Sequence, residues 1–278
     1  MSDVALTVFQ GRAGDHNNLA IPAAAALGTM LSQRLGVTAT VIGKPEPALN
    51  SDWKPELEAA MPALKAMAAH YEIILGQGLM PLTALSRCAV ALATLPVVAK
   101  HRPDAKVVWF DSHADLNTPE TTPTGYLGGM SLAGAAGLWD SGLGGYLDPA
   151  NIILVGARDI DPAEQALIDA GVVRLIPPLP GLVSELRKAI SGSPVYVHLD
   201  CDVLNPGIVP TDYRHEGGLT LADLHGAAEV IAESDVVGLQ VAELQHAWED
   251  NGEPVSPAIL LDALQPLITR FHPAEATV

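Results

Sequence analysis

The sequence predicts an α/β fold, namely a three-layer α/β/α sandwich around a central, doubly wound parallel sheet. Apolar runs of strand length alternate with longer Ala- and Leu-rich segments of helical length. The strand-length runs are rich in Val, Ile and Leu, which indicates strands buried on both faces. No linker or internal repeat interrupts this alternation, so we predict a single domain over residues 1–278. Ligands of such folds lie beyond the carboxyl ends of the strands.

Each predicted element follows from its length and its apolar content. Runs of four or five residues rich in branched and aromatic side chains give the strands Ala5–Phe9, Thr38–Ile42, Glu72–Leu75, Val107–Phe110, Ile152–Val155, Val172–Ile176, Val195–Leu199 and Val236–Leu239. Longer segments between them give the helices Ile21–Leu35, Pro55–His70, Leu82–His101, Met130–Leu138, Pro162–Ala170, Gly181–Ile190, Leu221–Ser234 and Pro257–Phe271.

Composition narrows the classes of function. The formal net charge of −17 disfavours nucleic acids and anionic membranes as partners. Two cysteines without paired spacing exclude a disulfide framework and a thiolate zinc site. No segment has 18 consecutive apolar residues, and the first residues lack the pattern of a signal peptide. We therefore expect a cytoplasmic protein without a membrane span.

Two acidic motifs follow predicted strands. Asp111, His113 and Asp115 alternate after the strand ending at Phe110, and Asp200 and Asp202 alternate after a second strand. Alternate residues of an extended chain point the same way, so these side chains would converge. These acidic side chains would repel one another strongly unless cations lay between them. Polar triplets at strand ends can also be plain caps or turns, but two such motifs favour a metal site, and oxygen ligands with one imidazole favour Mn²⁺.

The ordered set of motifs resembles the arginase/agmatinase/formiminoglutamase family, the ureohydrolases. The resemblance rests on residues 110–122, 198–206, 217–220 and 238–243, the last of which ends in Glu243. It implies an arginase-like fold and a homo-oligomer, either a trimer or a hexamer. It also implies hydrolysis of a C–N bond in a small guanidino or amidino substrate, with a hydroxide that bridges two Mn²⁺ ions as the nucleophile.

The resemblance also assigns roles to residues. Asp111 and Asp200 would bridge the metals, and His113 and Asp202 would complete one ion's ligands. Asp115 would bind the second ion and is counted with the catalytic residues. Glu243 would be both catalytic and substrate-binding, and Asn117 and Thr124 would contact the remote end of the substrate. Without the resemblance, Glu243 is as readily explained as an acid at the start of a helix.

Two positions depart from the family pattern. The segment 75–80 aligns with the family's Gly-Gly-Asp-His motif and puts Leu79 at the first metal-binding His, which weakens one of the two metal positions. Gly128 stands where arginases usually carry a His thought to shuttle protons, and His215 or His246 are candidates to replace it. Relatives acting on modified guanidines such as N-hydroxyarginine resemble this chain in lacking the first His.

These departures leave three hypotheses. The first is a variant Mn²⁺-dependent hydrolase with one or two ions, and the retained carboxylates favour it. The second is a non-catalytic subunit with the same fold, structural or regulatory, that has lost a complete two-metal site. The third, a magnesium-dependent phosphotransfer enzyme, is weak because no glycine-rich phosphate loop or cluster of basic residues accompanies the acids.

Overall fold

The computed structural model describes residues 4–272. Within these residues, eight parallel strands form one sheet in the order β2-β1-β3-β8-β7-β4-β5-β6. The strands are β1 Val4–Phe9, β2 Thr40–Ile42, β3 Met80–Ala84, β4 Lys106–Phe110, β5 Ile152–Val155, β6 Arg174–Ile176, β7 Val195–Asp200 and β8 Val236–Ala242. The predicted doubly wound α/β sandwich is confirmed, whereas one domain over residues 1–278 stays a prediction.

Helices cover both faces of the sheet and form two separate apolar cores with it. One face carries α1 Ala20–Leu35, α6 Leu182–Ile190, α7 Leu221–Ala232, α8 Ala258–Ala263 and α9 Gln265–Ile268. The other carries α2 Trp53–Gly76, α3 Ala91–His101, α4 Ser131–Ala135 and α5 Pro162–Asp169. None of the helices described between residues 4 and 272 is long and apolar enough to cross a membrane.

Local signals set several helix ends. Helix α1 ends at Gly36, whose φ of 68° is the left-handed conformation that glycine adopts without strain. Helix α7 begins with a capping box, in which Thr220 and Asp223 each bind the other's backbone N–H group. Helix α1 also packs closely on β1, because Gly28 lies against the side chain of Val8.

One predicted strand is wrong. Residues 72–75 are the last turns of helix α2, and the strand lies later, at β3 Met80–Ala84, where a helix from Leu82 was predicted. The observed strand contains Pro81, and proline rarely occupies a central strand. The structure tolerates it because Pro81 pairs in register with β1, while pairing between β3 and β8 starts only at Leu82.

Candidate metal centre

Four neighbouring strands end at one place. Strands β3, β8, β7 and β4 lie side by side and parallel, so their carboxyl ends share one edge of the sheet. The register pairs Phe110 with Leu199, and Asp200 with Ala242. The residues that follow these positions therefore meet in one cleft, as the two acidic motifs led us to expect. The cleft is lined by all the site residues predicted from sequence except Asp111, which lies buried among its neighbours.

Three of the predicted ligands converge on one point. The Nδ1 atom of His113 lies 3.1 Å from Oδ1 of Asp111 and 3.2 Å from Oδ2 of Asp202. Although burial lowers the pKa of His113, its hydrogen bonds to these carboxylates raise it to about 12. Burial raises the pKa of Asp202, but the hydrogen bond from His113 outweighs it and lowers the pKa to about 2. Nδ1 of His113 and these two carboxylate oxygens thus form one group of atoms, all of which would ligate a divalent cation.

The remaining carboxylates are buried and crowded. Asp111, Asp115 and Asp200 are at most 4% exposed. Burial, and then the charge of Asp202, raises the pKa of Asp111 to about 7. Burial also raises the pKa values of Asp115 and Asp200 well above their ordinary range. Because ionised carboxylates are costly to bury without a counter-charge, this donor set fits hard divalent cations.

A cysteine, not a leucine, completes the acidic cluster. The Sγ atom of Cys88 lies within 4.8 Å of ligand atoms of Asp111 and Asp115, and also of Asp200 and Glu243. The thiol donates a hydrogen bond to Oδ2 of Asp200 at 3.1 Å. Leu79 precedes β3 at the opposite end of the strand and packs half-buried in an apolar core. Placing Leu79 at a ligand position was wrong, since it depended on taking residues 72–75 as the strand.

A buried histidine, His198, is hydrogen-bonded to the thiol of Cys88. The ring of His198 stacks on Trp109 with a centroid distance of 3.5 Å. Gln240 donates through Nε2 to Nδ1 of His198 at 2.6 Å, and its Oε1 accepts hydrogen bonds from Thr94 and Tyr196. Burial lowers the pKa of His198 to about 3, so the neutral ring carries its proton on Nε2. That proton is donated to Sγ of Cys88, 3.1 Å away.

Glu243 is held by an internal cation. Its Oε2 accepts a hydrogen bond from Nη1 of Arg87 at 2.8 Å, and its Oε1 accepts one from the Cys88 backbone N–H at 2.8 Å. Burial raises the pKa of Glu243, and the charge of Arg87 opposes this effect. Arg87 is fully buried and also pairs with Asp15 and Asp212. Glu243 has a φ of 62°, a strained value that turns its carboxylate into the cleft.

The two remaining predicted residues line the outer wall of the cleft. Asn117 is buried, and its Nδ2 donates to Oδ2 of Asp161 at 2.8 Å. Thr124 is exposed, and its hydroxyl accepts the backbone N–H of Tyr126 at 3.2 Å. Glu164 supports this wall by accepting the backbone N–H of Leu116 at 2.8 Å. Asn117 and Thr124 are therefore part of the cleft wall, while their contact with a substrate stays a prediction.

The sequence reasoning missed three residues that line the cleft, Cys88, Tyr126 and Tyr213, and the buried Arg87 that pairs with Glu243. Arg87 and Cys88 were assigned to a helix, and Tyr126 and Tyr213 carried no motif. Recognising β3 as a strand would have placed Ser86, Arg87 and Cys88 at its carboxyl end. Of the two histidines considered as proton shuttles, His215 lies near the cleft, with its ring 5.1 Å from that of His113. The other, His246, is not among the residues that line the cleft.

A parallel sheet with buried carboxylates and an imidazole at its carboxyl edge defines a candidate metal-dependent α/β enzyme. A profile described as the Arginase family matches residues 15–258. The chain belongs to this family, and it is a hydrolase of guanidino-type C–N bonds. The resemblance seen in the sequence motifs is thereby confirmed, and the comparisons give no support to a non-catalytic subunit.

Individual relatives agree with this assignment. The chain is 42% identical over 262 residues to the N(omega)-hydroxy-L-arginine amidinohydrolase of Streptomyces lavendulae, covering 94% of this chain and 96% of that protein. It is 29% identical to the arginase of Bacillus caldovelox over 74% of each chain. The crystal structure of Bacillus subtilis arginase superposes with a TM-score of 0.82 at 21% identity, covering 96% of this chain and 98% of that one, which shows the same fold.

Proposed function

We propose that this protein hydrolyses the guanidino C–N bond of an N-hydroxylated, arginine-like compound. The observation that carries the proposal is the convergence of the His113, Asp111 and Asp202 ligand atoms beside Glu243 in one cleft. The choice of an N-hydroxylated substrate is supported by the 42% identical relative, whose name specifies such a substrate.

We propose that Mn²⁺ is held mainly by Asp111, His113, Asp200 and Asp202. Oxygen ligands with one imidazole suit this ion, and bound ions of this kind make a nucleophile available from water near neutral pH. Asp115 and Cys88 would face a second position. A thiol ligates well only after losing its proton, and the Cys88 thiol is already hydrogen-bonded to Asp200. We therefore infer one tightly held ion and a weaker second one.

The chain's own residues would orient the substrate. Oε1 of Glu243 already accepts the backbone N–H of Cys88 and the hydroxyl of Tyr126, whereas Oε2 accepts only a hydrogen bond from Arg87. Oε2 therefore keeps a free lone pair that can accept an N–H group of a guanidino group. Asp115 is fixed by the hydroxyl of Ser131, which donates at 3.1 Å, and would face the reacting carbon. Asn117 and Thr124 would contact the polar end of the substrate.

The test is turnover of the Mn²⁺-loaded protein with N-hydroxyarginine, arginine, agmatine and guanidino acids, measured as release of hydroxyurea or urea. We expect hydroxyurea from N-hydroxyarginine, and Asp200→Asn to lower kcat/KM by more than about 100-fold. The matched control is Asp235→Asn, since Asp235 is exposed and pairs with Arg102. Absence of turnover with N-hydroxyarginine contradicts the proposal.

Two broader expectations stay proposals. The resemblance implies a homo-oligomer, either a trimer or a hexamer, and light scattering of the purified protein measures its mass. We also propose that the protein is cytoplasmic, which cell fractionation tests.

A further inference from the structure

The side chain of Tyr126 is held in the cleft by residues of its own loop. A Cβ atom at Gly128 would lie 2.7 Å from Cζ and 2.9 Å from Oη of Tyr126, so the tyrosine ring occupies the space of any side chain at that position. Gly125, with a φ of 69°, lets the chain turn immediately before it. The ring of His16 packs against the ring of Tyr126 with a centroid distance of 4.2 Å. The position of the hydroxyl is therefore fixed by packing on several sides.

The hydroxyl lies beside the carboxylate proposed to receive the guanidino group. Oη of Tyr126 donates to Oε1 of Glu243 at 3.3 Å, which is long for a hydrogen bond between two oxygens. The same Oε1 already accepts the Cys88 N–H at a shorter 2.8 Å. The proton of Tyr126 is thus held weakly and is available to a better acceptor that enters the cleft.

Whether a substrate brings such an acceptor into the cleft depends on the groups attached to its guanidino nitrogens. A protonated guanidinium presents only N–H donors, so it offers nothing to a phenol proton. A guanidino nitrogen that carries a hydroxyl presents oxygen lone pairs. Because Oη of Tyr126 lies 3.3 Å from Oε1 of Glu243, a hydroxyl on a guanidino nitrogen that Glu243 binds would lie within reach of Tyr126.

We propose that Tyr126 donates a hydrogen bond to the oxygen on the substrate's guanidino nitrogen and thereby selects N-hydroxyguanidines over unsubstituted guanidines. This inference rests on the proposed function. Removing one such hydrogen bond leaves the substrate oxygen without its partner, which costs about a factor of 10 to 100 in kcat/KM.

The experiment compares Tyr126→Phe with the unmodified Mn²⁺-loaded enzyme, because phenylalanine keeps the ring and removes only the hydroxyl. We expect kcat/KM for N-hydroxyarginine to fall by about 10- to 100-fold. For arginine we expect kcat/KM, or the inhibition constant where turnover is too slow, to change by less than about 3-fold. Tyr146→Phe, at a tyrosine that is 68% exposed, serves as the control that leaves both substrates unaffected.

A second pair of variants tests the geometry. Gly128→Ala places a Cβ against the ring and should reduce selectivity as Tyr126→Phe does, whereas in a Tyr126→Ala background it should have no further effect. Equal losses for both substrates in Tyr126→Phe, or no loss for either, would overturn this inference while leaving the proposed function intact. An unmodified enzyme that does not hydrolyse N-hydroxyarginine would overturn both.

Discussion

Removing the metal is expected to make the stability of this protein fall as the pH rises. Asp111 has an ordinary pKa of 3.8 in the unfolded chain and a pKa of about 7 in the metal-free folded protein, because it is buried beside Asp202. Between these pH values the folded state holds a proton that the unfolded state has lost. The free energy of unfolding then falls by up to about 1.4 kcal/mol per pH unit, or roughly 2 kcal/mol between about pH 5 and 7.

The neighbouring groups act in the same direction. Burial raises the pKa values of Asp115 and Asp200, so they add to the loss as the pH rises. His113 has a folded pKa of about 12 against an ordinary 6.5, so its stabilisation is complete below about pH 6.5 and is lost above it. The lowered pKa of Asp202 opposes this trend only below about pH 4.

The assay is urea unfolding at about pH 5, 6, 7 and 8, with and without Mn²⁺ after chelation. With bound metal the carboxylates are ionised and binding releases protons, so stability should rise with pH instead. The net charge of −17 also lowers the free energy of unfolding at high pH. The control is therefore the metal-free double variant Asp111→Asn, Asp200→Asn. Its slope should be shallower by at least about 1.4 kcal/mol per pH unit. A metal-free protein whose stability is flat or rises with pH would refute the reasoning.

Three further predictions follow from particular contacts. Arg87→Leu should lower the free energy of unfolding by about 3–5 kcal/mol, because it leaves Glu243 buried without its cation; a loss under about 1 kcal/mol in urea unfolding would contradict this. Cys88→His should raise the bound Mn²⁺ per chain to two ions, measured by elemental analysis, and an unchanged content would argue against the proposed second position. Gly28→Ala should cost about 1–3 kcal/mol, since its Cβ would overlap Val8, while metal content stays the same; stability equal to that of the unmodified protein would show that the contact relaxes freely.

Much of the fold could be read from apolar patterning. Strands β4 and β7 are buried along nearly their whole length, and their Val-rich runs identified them correctly. The segment 72–75 failed because a short apolar run is compatible with both a strand and the end of a buried helix. Neighbouring contacts decide between these states, as Ile74 is buried at the end of α2 against residues far away in the chain.

The sequence by itself determined the alternation of strands and helices and the pairing of acids after two strands. Both are local properties, since side-chain alternation and helical periodicity depend only on near neighbours along the chain. Only the tertiary structure decided that Cys88 rather than Leu79 joins the acids, that Arg87 faces Glu243, and that the ring of Tyr126 fills the space over Gly128. These contacts join residues from different strand ends and loops, and their identity depends on sheet order and register.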